Sequence, residues 1–88
     1  MRRIAWNPNA WADYVRIQSD DKRLWKKINT LVDDVLRHPE EGLGKPERLR
    51  ADLAGMWSRR ISQEHRLVYV IEPEQIVIIQ CSSHYQAV

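Results

Sequence analysis

Gln75-Ile76-Val77-Ile78-Ile79-Gln80-Cys81 is the most apolar stretch of the chain and the one whose reading decides the fold. A β-branched run of this length, preceded by the turn signal Glu72-Pro73-Glu74 and followed by Ser82-Ser83, reads as a strand. Its apolar residues fall on both faces, which is the pattern of a central strand buried on either side. It then passes into His84-Tyr85, three residues from Val88. Chain ends are usually frayed and polar. A titratable His beside a Tyr, carried out of a rigid strand, sets a proton-transfer group and an aromatic plane in fixed relation to the core.

Working back from that strand, residues 66–71 and 56–61 are strand-like, and Ser62-Gln63-Glu64-His65 lies where a hairpin loop belongs. Residues 46–49 read as a short edge strand, and residues 40–45, with Gly42 and Gly44, as a loop. Further upstream the period becomes helical. Residues 3–6 form an opening strand that ends at Asn7-Pro8, a cap followed by a first-turn proline. Trp11, Tyr14 and Val15 then recur at helical spacing to about Gln18. Ser19, with Asp20 and Asp21 behind it, is expected to cap a longer helix whose stripe is Leu24, Ile28, Leu31, Val32, Val35 and Leu36, ended by His38-Pro39. The order β-α-α-β-β-β-β predicts an α+β fold: two N-terminal helices packed on one face of a small, mainly antiparallel sheet.

Residues 1–88 are short enough that one domain with one core is expected. Hydrophobic residues make up 43% and charged residues 30%, the balance of a soluble globular protein, and no apolar run approaches the ~20 residues of a membrane span. Met1-Arg2-Arg3 is followed by too short an apolar segment for a secretory signal, so a cytoplasmic location is expected. The one cysteine, Cys81, excludes an internal disulfide and a thiolate zinc site. The net charge of +2 is unevenly spread: residues 45–66 carry +3, residues 1–44 carry +1, and residues 67–88 carry −2. An Arg-rich middle segment suits either a planar polyanion such as nucleic acid or a solvated basic surface.

Arg59, Arg60 and Arg66 flank one hairpin, so two or three guanidinium groups come within side-chain reach of one another in any register. Like charges across a ladder repel unless an anion lies between them. The cluster is either splayed into solvent or arranged around phosphates. Trp57, on the same strand, either stacks a base or packs in the core. Glu47 follows Gly44-Lys45-Pro46 and, taken alone, is a surface carboxylate. With an Arg pair and His84 it completes the set for metal-free RNA cleavage: a base for the 2′-hydroxyl, cations for the phosphorane, an acid for the 5′-oxygen. His38 reads as a helix C-cap and His65 as part of the hairpin. No residues have metal-ligand spacing, no Gly-rich phosphate loop precedes a helix, and no Ser has a nucleophile-elbow context, so no metal or other cofactor is expected.

Gly42-Leu43-Gly44-Lys45-Pro46-Glu47, Gly55-Met56-Trp57-Ser58-Arg59-Arg60-Ile61, Glu64-His65-Arg66-Leu67-Val68-Tyr69 and His84-Tyr85 together resemble the YoeB/Txe family of toxins, within the RelE superfamily. The likeness covers essentially the whole chain and implies a RelE-like, microbial-ribonuclease-like fold. It further implies a ribosome-dependent endoribonuclease that cuts mRNA in the A site, held inactive by a cognate antitoxin of the YefM/Axe type and able to form a homodimer. Operator DNA would be met only through the antitoxin complex. By that resemblance Glu47 is the general base, Arg66 the transition-state stabiliser, His84 the general acid and Tyr85 the residue that orients substrate. Arg60 assists at the phosphate, and Lys45 and Arg50 hold the RNA backbone. Two departures stand out: Ser82-Ser83 precede the His-Tyr pair, where the family commonly has an Arg and an aromatic residue, and Gln86-Ala87-Val88 follow it. The alternatives are a gyrase-poisoning toxin of the same fold, of the ParE branch, and a relic that only binds antitoxin and operator DNA.

Overall fold

The structure, a computed structural model, describes residues 1–83. Five strands form one mixed sheet in the order β1-β5-β4-β3-β2: β1 (Arg3–Trp6), β2 (Glu47–Arg48), β3 (Trp57–Arg60), β4 (Arg66–Ile71) and β5 (Gln75–Gln80). The helices α1 (Pro8–Asp20) and α2 (Lys22–Arg37) follow β1, giving the α+β order expected from the sequence. All strand pairs are antiparallel except β1 with β5, which run parallel from Arg3 opposite Gln75 to Trp6 opposite Ile78. β5 is thus an interior strand, but its faces are unequal. Ile76 and Ile78 are buried under the helices while Gln75, Val77 and Ile79 are half-buried; past a register shift the buried Gln80 stands opposite Val68, on the other face.

The caps explain the helices. Asn7 is extended and its side chain accepts the N–H of Asn9 at 2.9 Å, with Pro8 at the first position. The second cap is Asp21 rather than Ser19. Its carboxylate accepts the N–H of Leu24 at 3.1 Å, while Ser19 and Asp20 complete the last turn of α1. Tyr14 donates to Asn29 Oδ1 at 2.6 Å and ties the two helices together. The α2 stripe buries Ile28, Leu31 and Val35 against Leu67, Tyr69, Ile76 and Ile78 of the sheet. Each such side chain contributes roughly 1.5–3 kcal/mol relative to exposure.

Beyond α2 the chain crosses to the far edge of the sheet. A 3-10 turn at Ala51–Leu53, with no signal in the sequence pattern, separates β2 from β3. β2 itself is only Glu47–Arg48, shorter than the 46–49 expected. Among the described residues no helix is long and apolar enough to cross a membrane.

Candidate active site

Side chains alternate across a strand, so the register sorts every candidate by face. Glu47 stands opposite Ser58, Ser58 opposite Val68, and Arg60 opposite Arg66. Glu47, Arg60 and Arg66 therefore share the face turned away from the helices. Glu47 and Arg60 are exposed there and Arg66 is half-buried. With strands ~4.8 Å apart and ~3.4 Å per residue, the Glu47 and Arg66 Cα atoms lie about 12 Å apart. That span lets a carboxylate and a guanidinium reach one phosphodiester from opposite sides.

Arg66 is held from two directions. Its backbone N–H donates to the Ser82 carbonyl at 2.9 Å, fixing the exit of β5 beside it. Its Nη1 donates to the carbonyls of Ser62, His65 and Gln63 at 2.8, 3.0 and 3.2 Å. Lys45 and Arg50 are exposed and bracket β2, Lys45 with a left-handed φ of 53° between Gly44 and Pro46. His84 and Tyr85 lie outside the described residues.

Two expected RNA contacts stand elsewhere. Arg59 follows the opposite phase from Arg60 and is fully buried. Its Nε donates to the Tyr69 hydroxyl at 3.0 Å, and its Nη1 to Asp34 Oδ2 and, at 3.1 Å, to the Leu43 carbonyl. Its Nη2 donates to the His38 carbonyl and, at 2.8 Å, to that of Glu41. All five guanidinium N–H groups are satisfied internally, so Arg59 is removed from the set that could meet RNA. Trp57 is likewise on the helix side, half-buried against the core with the Arg48 guanidinium 5.5 Å over its ring, and shares no face with Glu47 and Arg66.

Arg59 is instead the hub that holds the loop leading to Glu47. Asp34 Oδ2 also accepts the N–H of Leu43 at 3.0 Å, and the Tyr69 hydroxyl donates to the Pro39 carbonyl at 2.8 Å. The Leu43 N–H and the Arg59 guanidinium hold the Asp34 carboxyl below its ordinary value against the opposing effect of burial. Burial pushes the Tyr69 hydroxyl up, with Arg59 pulling the other way. The loop closes against this hub so tightly that a Cβ on Gly42, at φ +118°, would come within 2.2 Å of Asp34 Oδ2. At Gly44, φ +78°, it would stand 2.8 Å from the Arg60 carbonyl, and the Gly44 carbonyl accepts the Arg60 N–H at 2.7 Å. Asp34 stands in none of the sequence motifs, and Tyr69 closes the Glu64–Tyr69 motif without a role assigned to it there. The signal available is the Arg59-Arg60 doublet, since two successive strand residues point to opposite faces of the sheet and the helices cover one of them.

Among the described residues no three His, Cys, Asp or Glu side chains gather as a metal site would require. His65 is structural in the hairpin: its carbonyl accepts the N–H groups of Ile61 at 2.9 Å and Ser62 at 3.3 Å.

A family model described as the YoeB-like toxin of bacterial type II toxin-antitoxin systems matches residues 6–85. The chain belongs to this toxin family. Toxin YoeB of Synechocystis sp. is 50% identical over 84 residues, spanning 96% of this chain and 98% of the relative. Among solved structures, a YoeB/ParE toxin from Agrobacterium tumefaciens superposes with a TM-score of 0.90 at 44% identity, covering 94% of this chain and 99% of the other. YoeB of Staphylococcus aureus has been solved in a complex with YefM, at TM-score 0.88, 43% identity and 97% and 99% coverage. It has also been solved as a dimer, at TM-score 0.88, 45% identity and 96% and 98% coverage.

In this YoeB-type toxin Glu47, Arg60 and Arg66 share one sheet face. The sheet face that carries them is free of the helices, and the strand that leads to His84 leaves it beside Arg66.

Proposed function

We propose that this chain is a ribosome-dependent endoribonuclease that cuts mRNA in the A site, without a catalytic metal, and thereby stops translation. The observation that carries the reading is the convergence of Glu47, Arg60 and Arg66 on one sheet face. Glu47 takes the proton of the 2′-hydroxyl, whose oxygen attacks phosphorus. Arg66, helped by Arg60, stabilises the phosphorane, and His84 protonates the departing 5′-oxygen while Tyr85 orients the nucleotide. The bond to the 2′-oxygen forms and the bond to the 5′-oxygen breaks, leaving a 2′,3′-cyclic phosphate and a 5′-hydroxyl. Lys45 and Arg50, flanking β2, hold the RNA backbone.

The partner that neutralises it is an antitoxin of the YefM type, as in the S. aureus complex, and operator DNA is reached only through that complex. The toxin pairs with a second copy of itself, as the S. aureus protein does. The surface that favours this is the aromatic cluster of Trp6, Trp11, Tyr14 and Trp25, with ring centroids 4.6–6.0 Å apart. It leaves Trp11 50% and Val15 44% exposed. The site of action is the cytoplasm, where ribosomes and message are.

The test is induction of the chain with and without its neighbouring antitoxin gene, with transcript 5′ ends mapped during arrest. Cuts within the A-site codon, with cyclic or 3′-phosphate ends and unchanged rate after EDTA treatment of the assembled complex, are expected. Glu47→Ala, Arg66→Ala and His84→Ala should each lower cleavage by about 10²- to 10⁴-fold with antitoxin binding retained. Products with 3′-hydroxyl ends, or inhibition of gyrase supercoiling in place of cleavage, would overturn the reading.

A further inference from the structure

We infer that the Ser62–His65 turn is a carbonyl cradle that selects which edge of the Arg66 guanidinium meets the substrate, making Ser62 and His65 positioning residues for phosphate recognition. The inference rests on the RNA-cleaving reading above and adds to it how Arg66 is aimed.

The geometry is unusual for a strand-borne arginine. Arg66 folds back on its own hairpin, so that Nη1, with two protons, lies within 3.2 Å of three carbonyl oxygens, those of Ser62, Gln63 and His65. That end of the guanidinium is committed. The donors left over are Nε–H and Nη2–H, which make no hydrogen bond with the described residues. These two N–H bonds are parallel, the fork that matches two non-bridging oxygens of one phosphodiester. A guanidinium free to rotate would offer several edges, and the cradle leaves one. Fixing it before substrate arrives removes the reorganisation that a mobile Arg side chain would need during the reaction.

The cradle is itself locked by one hydroxyl. Ser62 Oγ accepts the backbone N–H of His65 at 3.0 Å and of Glu64 at 3.3 Å, and lies 3.1 Å from His65 Nδ1. Those bonds set the peptide planes of residues 62–65 and so aim the three carbonyls at Arg66. The backbone N–H of Ile61 closes the turn on the His65 carbonyl at 2.9 Å. A Ser hydroxyl that accepts two successive backbone N–H groups in this way fixes a turn that would otherwise sample several conformations.

The experiment is single-turnover cleavage of ribosome-bound mRNA by the full chain, comparing Ser62→Ala, Ser62→Thr, His65→Asn, Arg66→Ala and the Ser62→Ala/Arg66→Ala double variant, each checked for a thermal midpoint near wild type. Ser62→Ala should lower the cleavage rate constant about tenfold at unchanged half-saturation, as loss of orientation does. Ser62→Thr keeps the hydroxyl and His65→Asn keeps an acceptor near Nδ1, so both should hold the wild-type rate within about twofold. With Arg66 absent there is nothing left to aim, so Ser62→Ala should change the residual rate of Arg66→Ala by less than about twofold. Wild-type rates for Ser62→Ala alongside an inactive Arg66→Ala would overturn the cradle and leave the nuclease reading intact. Equal losses in Ser62→Ala and Ser62→Thr, or a tenfold effect of Ser62→Ala without Arg66, would also overturn it. A fully active Arg66→Ala would instead remove the RNA-cleaving site on which the inference stands.

Discussion

Arg59→Met keeps an unbranched stem and takes away the guanidinium with its five hydrogen-bond donors. Left behind in the fold are the Asp34 carboxylate, the Tyr69 hydroxyl and the carbonyls of His38, Glu41 and Leu43. One orphaned acceptor costs about 1–3 kcal/mol, but five such costs do not add, because the loop can relax and admit water. The better measure is removal of one partner from a buried ion pair, about 3–5 kcal/mol. Asp34, whose side chain is 19% exposed, places the expected loss at the lower end of that range. A chain of 88 residues has only about 4–13 kcal/mol of stability in all, at roughly 0.05–0.15 kcal/mol per residue. Arg59→Met should therefore lose about 3 kcal/mol and lower Tm by at least about 12 °C. Urea unfolding followed by tryptophan fluorescence should show a lower midpoint at unchanged slope. Arg60→Met, next along the strand but exposed, should cost less than about 0.5 kcal/mol. Adding Asp34→Leu to Arg59→Met should recover part of the loss, since it removes the stranded charge. An Arg59→Met midpoint within a few degrees of wild type, or no better separated from it than that of Arg60→Met, would refute the account of Arg59 as the hub of the loop.

Asp34 has a carboxyl held below its ordinary value of 3.8 in the fold, so the stability it contributes is complete above that pH and is lost as pH falls through the folded value. Thermal melts between pH 5 and 2 should show this as a falling Tm, and the fall should be shallower in Asp34→Asn. Cys81 has its thiol pushed up to about 12, chiefly by burial and then by Asp13, with its Sγ 3.6 Å from the Ala10 carbonyl. A disulfide reagent at pH 8 should leave it unmodified in the native state and modify it promptly in denaturant. Lys45→Ala and Arg50→Ala should weaken ribosome binding in a salt-dependent way, each reducing the slope of log affinity against log salt by about 1. Filter-binding titrations over a range of ionic strength measure it, and equal losses at all salt concentrations would remove both from the phosphate contacts.

The strands at Arg3–Trp6 and Arg66–Ile71 were legible to the residue because turn-forming residues bound the first and a strong β-branched pattern marks the second. The helix junction was less so. Ser19, Asp20 and Asp21 are all competent caps, and the choice between them is made by where α1 stops, which depends on the packing of Ile17 in the core rather than on the caps themselves. The doublet Arg59-Arg60 shows why the site was only partly legible. The strand period requires one of the two to face inward, yet the phase is set by pairing with β2 and β4 and by an acid 25 residues away on α2. The same phase carries Trp57 to the helix side and Glu47, Arg60 and Arg66 to the other. Ser62 has no distinguishing sequence context and stands out only through its hydrogen bonds to the turn.

The parallel pairing of β1 with β5 joins the fifth strand to the first, Arg3 to Gln75, and β5 also supplies the neighbour that β4 needs. During synthesis, every earlier strand is therefore made before the one that unites them. A nascent chain that has reached the β3–β4 hairpin has its sheet in two unconnected pieces, β1 on one side and β2-β3-β4 on the other. Non-local closure of this kind comes late in folding. A toxin so wired acquires its working shape only after β5 itself has been made, and ribosomes that stall on its message before that point release fragments without an assembled sheet.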